Sequence, residues 1–243
     1  MIPENHPRYH SLIVREQLVR CAKEGIVTLE GLTAHGRGEA FDYLMGEQTS
    51  PSALQAEKIA AALLLTADHP VISVNGNTAA LAARMIAGLQ MASRASVEVN
   101  LFHRTDERIT KITRLLEEQG VRVLKGEAKR LLPLLHERAL CLPGGIGSAD
   151  VILVPLEDGD RCQALHSLGK KVITIDLNPL SRTAQSADLT IVDEVTRALP
   201  LITTFCRELD QEEAKTLSTG YDNKIIRKAA LDEIIRRLTH ALD

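Results

Sequence analysis

The sequence predicts an α/β protein: a Rossmann-like, doubly wound and mostly parallel sheet of six strands, with a helical region before it and helices after it. Three observations carry that expectation. From Pro70 onward, short β-branched runs alternate with helical stretches. The residues that follow those runs form polar clusters of unusual chemistry. Both flanks of the alternating region read as helices.

The runs are 71–74, 97–101, 121–124, 151–154, 172–175 and 189–192. Four to six residues rich in Val and Ile, separated by amphipathic helices, are the signature of βαβ units and a parallel sheet buried on both faces. Helices over 78–92, 105–119 and 161–168 would make right-handed crossovers. The connection 125–149 is longer and carries a Pro143-Gly144-Gly145 turn; a helix over 127–137 and a surface loop are expected there. Before the sheet, helices are expected at 7–24, closed by Gly25, and at 39–45 and 52–65. After it, they are expected at 194–209 and 224–242. The chain divides as 1–69, 70–209 and 210–243, packed as a single compact unit.

Composition narrows the function classes. With 243 residues, 44% of them hydrophobic, the chain can bury a sizeable core. Lys and Arg number 29 against 32 Asp and Glu, a net charge of −3 that gives no broad basic field for nucleic acid. Aromatic content of 2% and no Trp argue against base-stacking platforms. The first ten residues are polar, without the apolar centre of a signal segment. The most apolar stretch, 59–65, is too short to cross a bilayer. Cys21, Cys141, Cys162 and Cys206 form no CxxC pair and read as reduced core thiols. A cytoplasmic enzyme is expected, with neither membrane nor nucleic acid as partner.

In open α/β sheets, ligands bind outside the carboxyl ends of the strands, where this sequence concentrates its polar clusters. Asn75-Gly76-Asn77 follows the first run and opens a helix whose free N–H groups attract anions; it reads equally as a tight turn. Phe102-His103-Arg104 follows the second. It lacks the acidic residue that holds an NAD ribose, and no dinucleotide glycine fingerprint or P-loop is present. Glu157, Asp158, Asp160 and Arg161 follow the fourth. They could hold Mg2+, position an amine, or form a solvated loop capped by Asp160. Asp176, after the fifth, can bind a ribose hydroxyl or a metal. Outside the sheet, Gly36 and Gly38 flank Arg37 just before the helix expected at 39–45, so backbone and guanidinium could both approach a phosphate. Glu39 would support the helix dipole there or act as an acid. Arg15 projects from the apolar face formed by Leu12, Leu18, Val19 and Ala22, either snorkelling or aimed at a ligand phosphate.

Taken in order, His6-Pro7-Arg8-Tyr9, the segment Ala34-His35-Gly36-Arg37-Gly38-Glu39-Ala40, Ser73-Val74-Asn75-Gly76-Asn77, Phe102-His103-Arg104-Thr105, Pro155-Leu156-Glu157-Asp158-Gly159-Asp160-Arg161, Asp176-Leu177-Asn178-Pro179 and Tyr221-Asp222-Asn223 resemble archaeal phosphopantothenate synthetase, the 4-phosphopantoate–β-alanine ligase family. The resemblance runs nearly end to end. It implies a homodimer that condenses 4-phosphopantoate with β-alanine in coenzyme A biosynthesis, consuming ATP with Mg2+ and releasing AMP and pyrophosphate. By motif, the family's ATP contacts map onto Arg15, Arg37, Asp176, Leu177, Asn178, Arg182, Thr183, Glu194 and Val195. Thr183 replaces a common Ser and keeps the hydroxyl; Glu194 stands where some members carry Asn.

An acyl adenylate forms when a carboxylate attacks the α-phosphate, and these two anions repel. Arg15, Arg37, Arg182 and Mg2+ would offset that charge, with Arg37 catalytic as well as nucleotide-binding. Glu157, Asp158 or Asp160 would accept the proton of β-alanine. Asn75, Asn77, His103 and Arg104 are the candidates for holding phosphopantoate, and no metal ligands are assigned. Two other classes fit less well. An NADP-dependent oxidoreductase could use His103-Arg104 but lacks the glycine fingerprint, and a non-catalytic nucleotide sensor would leave the rim carboxylates and arginines without a task.

Overall fold

The first three elements are helices, each started by a side-chain cap or ended by a glycine. The computed structural model describes residues 2–6 and 8–241. Helix α1 (Tyr9–Lys23) stops before Gly25, whose φ of +77° suits a residue without a Cβ. Helix α2 (Leu29–Met45) starts at Thr28, whose hydroxyl accepts from Gly31 N, and stops at Gly46 in the left-handed region. In α3 (Pro51–Thr66), Ser50 accepts from Ala53 N and Pro51 occupies the first turn, where its missing N–H costs nothing.

The alternating region follows as β1 (Pro70–Val74), α4 (Gly76–Ser93), β2 (Ser96–Val99), α5 (Asp106–Glu118), a small antiparallel pair β3 (Lys129–Arg130) and β4 (Leu140–Cys141), then β5 (Val151–Pro155), α6 (Gly159–Ser167), β6 (Lys171–Ile175), α7 (Arg182–Ser186) and β7 (Leu189–Ile191). Helices α8 (Val195–Glu208), α9 (Gln211–Thr219) and α10 (Asn223–Thr239) complete the fold. The main sheet is parallel, in the order β2-β1-β5-β6-β7. The chain therefore winds outward from β1 to β2, returns to β5 and winds the other way. Its topological switch point lies between β1 and β5, where crossovers leave a crevice.

Period-2 alternation divides the strand side chains between two apolar layers. Ile72, Val74, Leu153 and Ile173 join Leu18, Ile59, Ile86, Leu199 and Ile202 from α1, α3, α4 and α8. Val71, Ile152, Val154 and Val172 join Cys162 and Leu165 of α6 and Cys141 and Ile146 of the 125–149 connection. Each fully buried aliphatic side chain contributes about 1.5–3 kcal/mol. The N-terminal helices thus share one core with the sheet. All four cysteines are free and buried, and no described helix is long and apolar enough to cross a membrane.

Four expectations need correction. The sheet has five strands rather than six: 121–124 makes a single bridge, Val97 to Val123, before the chain turns away at Gly126 with φ +158°. The helix expected over 127–137 is absent because Pro133 sits in its middle, where it would clash and lack an N–H. Strands β3 and β4 pair there instead, and Arg130 Nη1 donates to the Leu134 carbonyl at 2.7 Å. The second helix begins at Leu29 rather than 39, so Gly36, Arg37 and Gly38 lie inside α2 and not in a turn before it. The Thr28 cap and the contacts of Leu32 and Asn77 override the low helix propensity of glycine. The last helix ends at Thr239. The expected termini at Pro7 and Leu242 fall outside the described residues.

Candidate active site

The crevice at the switch point opens into a cleft of about 570 Å3. Helix α2 forms one wall, the carboxyl ends of β1 and β5 the floor, and the segments after β6 and β7 the far rim. The N-terminal ends of α2, α4, α6 and α8 all reach it, through Gly31, Gly76, Asp158 and Val195. The N–H groups left uncapped there and the helix dipoles make the cleft receptive to anions.

The floor is tightly tied. Asn75 caps α4 by accepting from Thr78 N at 2.9 Å, and its Nδ2 donates to the Pro155 and Leu156 carbonyls at 3.1 and 2.9 Å. This one side chain clamps β1 to β5 across the switch point. Gly76 is required by close approach: a Cβ there would lie 2.3 Å from the Ile26 carbonyl oxygen. Asn77 Nδ2 donates to the Gly31 carbonyl at 2.8 Å, joining α4 to α2. Leu156 holds φ +55°, a left-handed conformation costing of order 1 kcal/mol or more for a residue with a Cβ.

Glu157 is the most enclosed acid of the group, its side chain 2% exposed. It accepts from Arg138 Nη1 at 2.7 Å, from Arg161 Nη1 and from Asp158 N at 2.8 Å. Burial alone would raise its carboxyl, but Arg138 and Arg161 outweigh that and hold it below the usual range. Arg161 is fully buried and also donates to Ser73 Oγ at 3.1 Å. Asp158 stands at the N-terminal boundary of α6 without a capping bond from its side chain, half exposed, with one oxygen 3.1 Å from Arg138 Nε. Asp160 pairs with Arg182 outside the cleft lining, and both are exposed.

On the far rim, Asp176 accepts from Asn178 N at 2.9 Å and from Ser181 Oγ, and burial raises its carboxyl against those bonds. Thr183 Oγ1 donates to the Glu157 carbonyl at 2.8 Å. Leu177, Asn178, Glu194 and Val195 also line the cleft. Glu194 caps α8 by accepting from Thr196 N at 2.7 Å, and burial raises its carboxyl too. Behind it, Asp193 and Asp42 share Arg197. Glu57, wholly buried beside Asp193 and Arg197, is pushed up to about 9 by burial and by Asp193.

On the α2 wall, Arg37 faces the cleft, is exposed and makes no ion pair among the described residues. Arg15 Nε donates to both oxygens of Glu39, at 2.9 and 3.1 Å, and does not itself line the cleft. His103 lines the cleft beside Phe102; Arg104 does not. The site reading therefore converges on one crevice for Arg37, Glu157, Asp158, Asp176, Leu177, Asn178, Thr183, Glu194, Val195, Asn75, Asn77 and His103. Arg15, Arg104, Asp160 and Arg182 stand outside it. Sequence reasoning missed Arg138, Arg108 and Glu57. Arg108 donates to the Gly25 and Ile26 carbonyls at 3.3 and 2.8 Å, fastening the α1–α2 connection to the cleft. Its start-of-helix position gives no sign of that task, whereas Glu57 is legible as one acid in the otherwise apolar and small face of α3.

The model of the phosphopantothenate/pantothenate synthetase family matches residues 52–237. This chain belongs to that family. A relative from Methanospirillum hungatei, named 4-phosphopantoate–beta-alanine ligase, is 63% identical over the whole of both chains. Ligases of the same name from Methanosarcina mazei and Thermococcus kodakarensis are 51% and 47% identical, each over 98% of this chain and 95% and 94% of their own. The synthetase fold thus places its cleft at the β1/β5 switch point, and a ligase of this family implies a nucleotide co-substrate.

Proposed function

We propose that the β1/β5 cleft joins 4-phosphopantoate to β-alanine with the cleavage of ATP to AMP and pyrophosphate. Family membership and full-length relatives named for that ligation make the chain a ligase of coenzyme A biosynthesis. The observation that carries the assignment to this cleft is the convergence of four helix N-termini with Arg37 and Arg138 in one crevice. Both substrates that react first are anions, and such a cleft is built for anions.

Strand order suggests how they divide it. The nucleotide candidates Asp176, Asn178, Thr183, Glu194 and Val195 follow β6 and β7; the acid candidates Asn75, Asn77 and His103 follow β1 and β2. ATP on the far rim and phosphopantoate near β1 and β2 would meet over β5. With Asn75 fully bonded to protein, its contribution to the acid is to fix the α4 N-terminus rather than to touch it. Among the described residues no three His, Cys, Asp or Glu side chains converge as a metal site. That donor set fits Mg2+ carried on the triphosphate and its own waters, with Asp176 as the chain's carboxylate toward it. When bound, the ion would offset phosphate charge. Of the three acids considered for the amine, Glu157 is saturated by arginines and Asp160 lies outside the lining. Asp158 remains as the acceptor for the ammonium proton of β-alanine.

With phosphopantoate, β-alanine and Mg-ATP, AMP and pyrophosphate should appear in step with amide formation. When the phosphopantoate carboxylate carries ¹⁸O, one labelled oxygen should be found in AMP. Stoichiometric ADP with labelled inorganic phosphate would instead mean an acyl phosphate and would overturn the adenylate route.

A further inference from the structure

Two guanidinium groups meet one enclosed carboxylate in the Arg138–Glu157–Arg161 cluster, and the second carboxylate that balances them, Asp158, is half exposed at the cleft mouth. The side chains of Arg138, Arg161 and Glu157 are 7%, 0% and 2% exposed. Glu157 needs only one of these partners for charge balance. Arg161 supplies it from behind, bonded also to Ser73 Oγ. Arg138 approaches from the cleft side, and its remaining partner is half-exposed Asp158 at the mouth. An enclosed cation keeps a strong demand for an anion, and a partner as open to water as Asp158 leaves a substrate anion room to meet it. The Nε of Arg138 is buried without a hydrogen bond, only the ion-pair approach of Asp158 at 3.1 Å, and the residue lines the cleft.

The 125–149 connection exists to place this group. Glu98, buried in β2, accepts from Leu142 N at 3.0 Å and Ile146 N at 2.7 Å, so the connection is anchored to the sheet. Asn100, just past β2, donates to the Leu140 carbonyl at 2.9 Å and the Arg138 carbonyl at 3.4 Å. Backbone bonds thus hold Arg138 to the β2 side while its guanidinium reaches Glu157 at the end of β5. It stands between the acid side and the nucleotide side of the cleft.

We propose that Arg138 is a catalytic residue of the ligase, contacting the substrate carboxylate where it meets the α-phosphate, and that Glu157 is the residue that positions it. The proposal rests on the ligase reading above. In the step concerned, a carboxylate oxygen bonds to the α-phosphorus. The bond from that phosphorus to its bridging oxygen breaks, and pyrophosphate leaves with the electron pair. No proton moves, so the step calls for a fixed cation rather than a base. A guanidinium already seated on Glu157 undergoes no reorganisation as charge gathers between the reactants.

Arg138→Ala, Arg138→Lys and Glu157→Gln would be compared with the parent in single-turnover AMP formation, with melting measured alongside. Arg138→Ala should lower kcat by roughly 10²-fold while KM for ATP stays within about threefold, the signature of a contact made at the transition state. Free guanidinium ion should restore part of the rate to that folded variant, and Arg138→Lys should fall between it and the parent. Glu157→Gln should lower kcat without moving the pH profile, because Glu157 carries no reacting proton. If Glu157→Gln does not fold, the rescue of Arg138→Ala decides alone. Parental kcat in Arg138→Ala, or loss of a pH limb in Glu157→Gln, would overturn the proposal while parental turnover kept the ligase reading intact. A parent that makes no AMP from these substrates would sink the ligase reading itself.

Discussion

The floor of the cleft and its α2 wall use the same residue types in opposite ways. On the floor, Asn75 and Glu157 have their hydrogen-bonding capacity taken by protein, and Arg161 is wholly buried with bonds to Glu157 and Ser73, across β1, β5 and α6. On the wall, Arg37 is exposed without an ion pair, and Arg15 is held only by Glu39. A polar group consumed by the fold fixes geometry, and a polar group left uncommitted is available to a ligand. The difference teaches that charge on a cleft is not by itself a measure of contact with substrate.

That contrast can be broken most severely at Arg161. Arg161→Met leaves Glu157 buried with half its compensation, and about 3–5 kcal/mol of stability should be lost. Denaturant unfolding would read this as a lower midpoint at unchanged slope; a loss below about 1 kcal/mol would mean that the floor is not held by this cluster. Arg37→Ala should do the reverse. Its melting should remain parental while kcat/KM falls by roughly 10²-fold, the worth of one or two charge-assisted hydrogen bonds. Parental kinetics in that soluble variant would remove Arg37 from the site.

A third outcome extends the comparison through pH to the buried charges behind the far rim. Glu57 is raised from 4.5 to about 9, so the folded state holds a proton that the unfolded chain has already released between those values. Its contribution to stability is present below pH 4.5 and is lost as pH rises towards 9. Each pH unit in that window costs up to about 1.4 kcal/mol. Glu57→Gln mimics the protonated form and should flatten the decline measured by chemical denaturation from pH 5 to 9. Parallel curves for parent and variant would show that Glu57 is already ionised.

Much of this was legible in the sequence, for reasons that differ by element. The parallel strands announce themselves because burial on both faces demands Val and Ile, and β1, β2, β5, β6 and β7 lie within the expected runs, give or take a residue. The rim residue Asp176 follows from the rule that ligands gather at strand carboxyl ends, whereas Glu194 entered only through the family resemblance. The reading failed where local and tertiary signals conflict. Gly36 and Gly38 look like a loop, but the cap at Thr28 and the bond from Asn77 keep α2 continuous. Arg138 sits in a stretch with neither helical nor strand period, and its position depends on Glu98 and Asn100, about forty residues earlier. Nothing local could have revealed that. Arg161 was visible as part of the polar cluster, but its complete burial was not, because a residue at the start of α6 can face either way.

The convergence of helix N-termini has a consequence for how substrates arrive. The chain carries a net charge of −3, so its surface at large gives little attraction to ATP or a phosphorylated acid at a distance. Attraction is confined to the crevice, and the carboxylates of Asp158 and Glu194, at the starts of α6 and α8, temper it even there. At physiological ionic strength the Debye length is about 8 Å, so that field scarcely extends beyond the mouth. Encounter therefore proceeds by ordinary diffusion, without long-range steering, and the selection of anions happens only after a molecule has entered.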